Sequence, residues 1–102
     1  MLAGFDGSDA VLERDIEKHL VRRVKEAGGK AYKFVSPQNR GVSDRIVVMP
    51  GGVVWFVELK APGGRLSPLQ VLFGEEIKKM NGNYTVLWSK DDVNDFVASL
   101  SE

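Results

Sequence analysis

Apolar positions change their period several times along this chain, and each change marks an element. Leu12, Ile16, Leu20, Val24 and Ala27 recur at steps of three and four, so residues 9–27 are expected to form a helix with one apolar stripe, ended by Gly28-Gly29. Residues 30–36 contain the β-rich run Ala31-Tyr32-Lys33-Phe34-Val35 and close at Pro37, which predicts a first strand. Residues 41–49 and 53–60 are two further β-branched and aromatic runs on either side of Pro50-Gly51-Gly52, a hairpin signal. Ser67 followed by Pro68 offers a capping hydroxyl and then proline at the first helical position. Leu69, Leu72, Phe73, Ile77 and Met80 are the expected buried stripe of that second helix, which stops near Asn81-Gly82. Residues 83–88 read as a fourth strand. Ser89 and Asp92 resemble a capping box for a last helix that buries Val93, Phe96, Val97 and Leu100. The order α-β-β-β-α-β-α predicts an α/β fold, a mixed sheet flanked by helices. Residues 1–8 have no period and are expected to be a flexible N-terminal arm, with 9–102 as one domain.

The hairpin turn decides where the polar groups fall. A two-residue Gly51-Gly52 loop would pair Pro50 with Val53 and set Asp44 opposite Leu59, leaving Glu58 on the other face. A three-residue loop of Pro50, Gly51 and Gly52 pairs Met49 with Val53 and brings Asp44 opposite Glu58. That loop calls for a type I turn followed by a left-handed residue, with proline first and glycine last. Lys60, two residues after Glu58, shares its face. Two carboxylates on a buried sheet repel each other unless a cation lies between them, and a divalent metal is the obvious candidate. Hard cations such as Mg2+ take oxygen ligands, here Asp44, Glu58 and the backbone carbonyl of Leu59. A metal there would activate water and neutralise a scissile phosphate, with Lys60 orienting the water or stabilising the transition state. A structural ion pair between Lys60 and either acid is the competing reading.

Composition narrows the classes without choosing among them. At 102 residues the chain has room for a single core. It contains no cysteine, which excludes disulfides and thiolate zinc sites, and one histidine, which excludes a multi-histidine metal centre. No apolar run approaches the roughly 20 residues of a membrane span, and no secretory leader is visible, so a cytoplasmic protein is expected. Lysine plus arginine and aspartate plus glutamate each number 14, so the chain has no overall basic coat. Local basic surface remains: Arg22, Arg23, Lys25, Lys30 and Lys33 cluster early, Arg40 and Arg45 flank Asp44, and Arg65 follows Lys60. His19 reads as a helix-surface residue, and Trp55 and Trp88 as core.

Asp44, a hairpin and Glu58-Leu59-Lys60 together resemble the PD-(D/E)xK nuclease superfamily. The longer set, residues 33–37, Gly41-Val42-Ser43-Asp44-Arg45, Phe56 through Gly64 and Leu66-Ser67-Pro68-Leu69-Gln70, is similar to the VRR-NUC family in particular, over about residues 10–100. Members of that family occur as stand-alone phage or prophage proteins and as nuclease domains of repair enzymes. The resemblance implies a Mg2+- or Mn2+-dependent endonuclease of branched DNA, like Holliday junction resolvases, working as a homodimer without membrane or nucleotide cofactor. For a phage-encoded chain the location would be the host cytoplasm. It implies a glutamate on the first helix near the metal, best matched by Glu13 with Glu17 as runner-up, and a glutamine at the start of the second helix, Gln70, supporting the catalytic lysine or the phosphate. Arg40, Arg45 and Arg65 are the expected DNA contacts. Ser43 stands where the family usually has proline, which stiffens the approach to Asp44. A flap, single-strand or RNA nuclease and a non-catalytic DNA-binding module are the alternatives.

Overall fold

A computed structural model describes residues 11–101; the expected arm and the expected helix start at Asp9 lie outside them. The elements are α1 (Glu13–Glu26), β1 (Lys30–Lys33), β2 (Arg45–Met49), β3 (Val53–Leu59), α2 (Pro68–Lys79), β4 (Tyr84–Leu87) and α3 (Lys90–Leu100), in the anticipated order. One four-stranded sheet runs β1-β2-β3-β4, with the β1–β2 and β2–β3 pairs antiparallel and β4 parallel to β3.

The hairpin has the three-residue loop. Met49 pairs with Val53 and Arg45 with Val57, and Gly52 N–H donates to the Met49 carbonyl at 3.0 Å. The turn differs from the expected type in one respect. Gly51 already has φ +91°, as a type II turn requires at its third position, and Gly52 is left-handed as well. Two consecutive glycines make that possible, and the register is the same.

Alternation along the strands splits the sheet into two faces. Val47, Met49, Val57 and Leu59 point to one side, where Ile16, Leu20 and Val24 of α1 and Val93, Phe96 and Val97 of α3 complete the main core. Trp55 packs edge-on against Phe96 at 5.3 Å between ring centroids. Phe34, Phe56, Phe73 and Tyr84 form a smaller aromatic cluster on the other side, beneath α2. This second face carries Glu58 and Lys60.

Two helices depart from the expected pattern. α1 starts at Glu13, because Leu12 keeps an extended backbone and its N–H is held by the Asp15 carboxylate at 3.3 Å. The stripe of α2 is not buried as a whole. Phe73 and Ile77 turn inward, whereas Leu69 (46% exposed), Leu72 (49%) and Met80 (71%) face out. The helix instead approaches the sheet through Gly74, where an added Cβ would lie 2.5 Å from the Tyr84 ring. No described helix is long and apolar enough to cross a membrane.

Candidate active site

Asp44 sits one residue before β2, at the open end of the hairpin, and two bonds fix it there. Its carbonyl accepts from Phe34 N–H at 3.0 Å, extending the β1–β2 ladder past the last strand residue. Its Oδ2 accepts from Leu59 N–H at 2.9 Å. The next step of the β2–β3 register sets Asp44 against Glu58, on the face of Phe56 and Lys60. Ser43 is 1% exposed and its hydroxyl donates to the Arg45 carbonyl at 3.3 Å, so a side-chain bond ties down the backbone where a proline ring would stiffen it.

Glu58 is buried to 1% exposure near the end of β3. Burial pushes its carboxyl up to about 8, and the charge and hydrogen-bonding contact of Asp44 push the same way, against the smaller opposing pull of Lys60. Glu58 Oε2 accepts from Gln70 Nε2 at 3.0 Å, while its Oε1 is buried without a hydrogen-bond partner. Gln70 also accepts from Ser67 N–H at 2.8 Å and donates its own N–H to Ser67 Oγ at 3.2 Å. One residue therefore closes the capping box of α2 and holds the acid. Its side-chain contact is with Glu58, not with Lys60.

Glu13 begins α1 at the edge of this group. Its carboxyl is raised by partial burial, then by the charge of Asp44, with Lys60 pulling it down. Lys60 is partly buried and its field reaches both Glu13 and Glu58. Among the described residues it enters no salt bridge. Glu17 has different work: it pairs with Arg45 at 2.7 Å and Lys33 at 3.4 Å.

The three expected DNA contacts are not brought together. Arg45 points to the α1 side of the sheet, where its Nε binds Glu17 and its Nη1 donates to the Ala31 carbonyl at 3.1 Å. That guanidinium ties α1 to the edge strand. Arg40 is exposed in the loop beside the N-terminal half of α2, and Arg65 is exposed in the loop after Lys60. Tyr84 is a neighbour that the sequence did not single out. Its hydroxyl is buried without a partner, and burial together with the charges of Glu58 and Asp44 pushes the phenol up to about 12. A tyrosine in a short apolar strand carries no signal of that placement.

A hard cation fits the donors present. Glu58 Oε1 is buried without a hydrogen-bond partner and Asp44 lies beside it, an arrangement whose oxygens a hard cation could satisfy. Within an extended strand residue the N–H and C=O point to the same side. Because Leu59 N–H is directed at Asp44, its carbonyl faces the acids too. Among the described residues no group of three or more His, Cys, Asp or Glu side chains closes on one point. The residues that could hold such an ion are therefore Asp44, Glu58 and the Leu59 carbonyl, with Glu13 adjoining.

No protein-family model matches the chain. It is similar to "Putative nuclease p44" of Acyrthosiphon pisum secondary endosymbiont phage 1, with 47% identity over 81 residues, which cover 79% of this chain and 87% of the relative. It is also similar to a solved structure described as a VRR_NUC domain, at a TM-score of 0.80 and 29% identity, covering 84% of this chain and 94% of that one.

Proposed function

The chain belongs to the VRR-NUC family of nucleases, and we propose that it is a metal-dependent endonuclease of branched DNA in which Asp44, Glu58 and the Leu59 carbonyl hold Mg2+ or Mn2+. The observation that carries this reading is the buried Glu58 carboxyl, one oxygen oriented by Gln70 and the other unpartnered beside Asp44. A hard divalent cation bound there would lower the pKa of a coordinated water and offset charge on the scissile phosphate.

The remaining roles follow from the fixed side chains. Leu59 N–H holds Asp44 so that one carboxylate oxygen stays directed along the strand end. Gln70 sets the rotamer of Glu58 from a capped helix start. Glu58 would have to be the carboxylate to hold a cation, so it would release its proton on binding one. Lys60, unpaired among the described residues, is placed to orient the attacking water or to stabilise the charge developing on the phosphate. Glu13 adds a further carboxyl from α1.

Cutting both strands of a junction symmetrically calls for two sites, and we assign the outward apolar side of α2 to a second copy of the chain. Leu69, Leu72 and Met80 are exposed there beside Arg40 and Val42 of the neighbouring loop. Light scattering is expected to give the mass of a dimer, reduced to a monomer by Leu72→Glu with Met80→Glu. A wild-type monomer that still cuts junctions in paired fashion would refute this assembly.

The function is tested by offering four-way junction, flap, duplex, single-stranded DNA and RNA substrates with Mg2+ or Mn2+. Fastest cleavage of the junction is expected, abolished by chelator and by Asp44→Asn. Preference for flap, single-stranded DNA or RNA would overturn the substrate assignment. Binding without cleavage of any substrate would overturn the catalytic one.

A further inference from the structure

Positive charge on this net-neutral chain is not scattered. Arg14, Lys18, Arg22 and Lys25 follow one another at steps of three and four along α1, all exposed, on the side away from the core residues Ile16, Leu20 and Val24. With Val21, Glu17 and Arg45 they line a groove along α1 beside the start of β2. Its one carboxylate is already neutralised, since Glu17 is held by Arg45 at 2.7 Å and Lys33 at 3.4 Å. The other acids of the helix beyond Glu13 are also engaged. Asp15 is turned back onto Leu12 N–H, and Glu26 pairs with Arg23 at 3.2 Å. A row of cations is therefore presented without an interleaved free acid from the same helix.

The row starts at the N-terminal end of α1, the end that carries Glu13. Arg14 follows Glu13, whose carboxyl feels Asp44 and Glu17. At 1.5 Å per residue, Arg14 to Lys25 spans about 16 Å, the axial rise of roughly five nucleotides of one strand. None of the described groove-lining residues is aromatic, so the groove has no platform on which unpaired bases could stack. The geometry points to a track for the phosphate backbone of a duplex DNA arm, running from the Asp44–Glu58 site along α1 through Arg14, Lys18, Arg22 and Lys25. It rests on the nuclease reading of that site and adds the path by which the substrate enters it. Contacts of this kind carry no base information, so binding along the track is independent of sequence.

The test is duplex binding by the full chain in chelator, measured by fluorescence anisotropy from 50 to 200 mM salt. Lys18→Gln with Lys25→Gln is compared with Lys78→Gln and Lys79→Gln on α2, which remove the same charge elsewhere. The α1 pair is expected to reduce the slope of log K against log salt by about 2, and so to weaken binding at the low-salt end by about tenfold more than at the high-salt end. The α2 pair is expected to leave the slope within about 0.5 of the wild type. Circular dichroism establishes that both variants are folded. Equal losses in the two pairs, or none in the α1 pair, overturn the track. So does tighter binding of a single strand of the same length. A wild type that binds duplex through α1 but cleaves nothing leaves the track standing and removes the nuclease reading. A wild type that cleaves while the α1 pair binds normally does the reverse.

Discussion

Replacing Glu58 by glutamine separates the cost of burying its charge from everything else at the site. In the metal-free protein the Glu58 carboxyl is raised from 4.5 to about 8, chiefly by burial and then by Asp44. Between those two pH values the folded chain holds a proton that the unfolded chain has released. Stability from this group is therefore complete below about pH 4.5 and is lost as pH rises towards 8. At about 1.36 kcal/mol per pH unit, the loss by pH 8 is on the order of 4 kcal/mol. Glutamine keeps the shape, can accept the Gln70 Nε2–H that now meets Glu58 at 3.0 Å, and can donate to Asp44, without a titrating group. Urea unfolding of both proteins in chelator from pH 5 to pH 8.5 gives the answer. The two should be close at pH 5, with Glu58→Gln the more stable by several kcal/mol at pH 8. A difference that does not change with pH would refute the argument from burial, and a variant less stable at pH 8 would reverse its sign.

Lys60→Ala is expected to abolish cleavage while Mn2+ still binds, because the ammonium acts on water or phosphate and is no ligand; calorimetry showing metal affinity lost as fully as in Glu58→Ala would contradict that division. Gln70→Ala removes a helix-cap partner and the amide hydrogen bond to Glu58, so it should cost about 1–2 kcal/mol in denaturant titration and reduce cleavage less than Lys60→Ala does. Gly74→Ala puts a methyl group 2.5 Å from the Tyr84 ring and should destabilise by about 1–3 kcal/mol; an unchanged unfolding midpoint would mean that α2 moves freely on the sheet.

The pairing of Asp44 with Glu58 was legible because two independent signals agree on it. Pro50-Gly51-Gly52 specifies a three-residue loop, and β-strand alternation then fixes every facing residue back to the hairpin's open end. The caps at Ser67 and Ser89 were legible for the same reason, being local in sequence. The side of α2 that packs inward was not. Leu69, Leu72 and Met80 have the apolar period of a buried stripe, but the close approach at Gly74 rotates the helix so that Phe73 and Ile77 face the sheet. A glycine contributes nothing to an apolar count, so the period could not reveal it. Side-chain partners distant along the chain were also hidden. The residues around Asp44 give no sign that Arg45 pairs with Glu17, because that partner comes from α1. His19, expected to be a plain surface residue, meets Asn94 of α3 at 2.8 Å and Arg22 at 2.8 Å. The orphaned oxygen of Glu58 belongs to this second kind, since its burial depends on elements packed around it.

Titration of Mn2+ into the chain at pH 7, by calorimetry in two buffers of different ionisation enthalpy, tests the metal centre most directly. With its carboxyl pushed up to about 8, Glu58 is expected to carry a proton at that pH in the free protein and would have to be a carboxylate in a metal complex. The expected result is saturable binding with release of about one proton per ion, and neither binding nor release in Glu58→Gln. Absence of saturable binding, or binding without proton release that survives in Glu58→Gln, would contradict the assignment of the site.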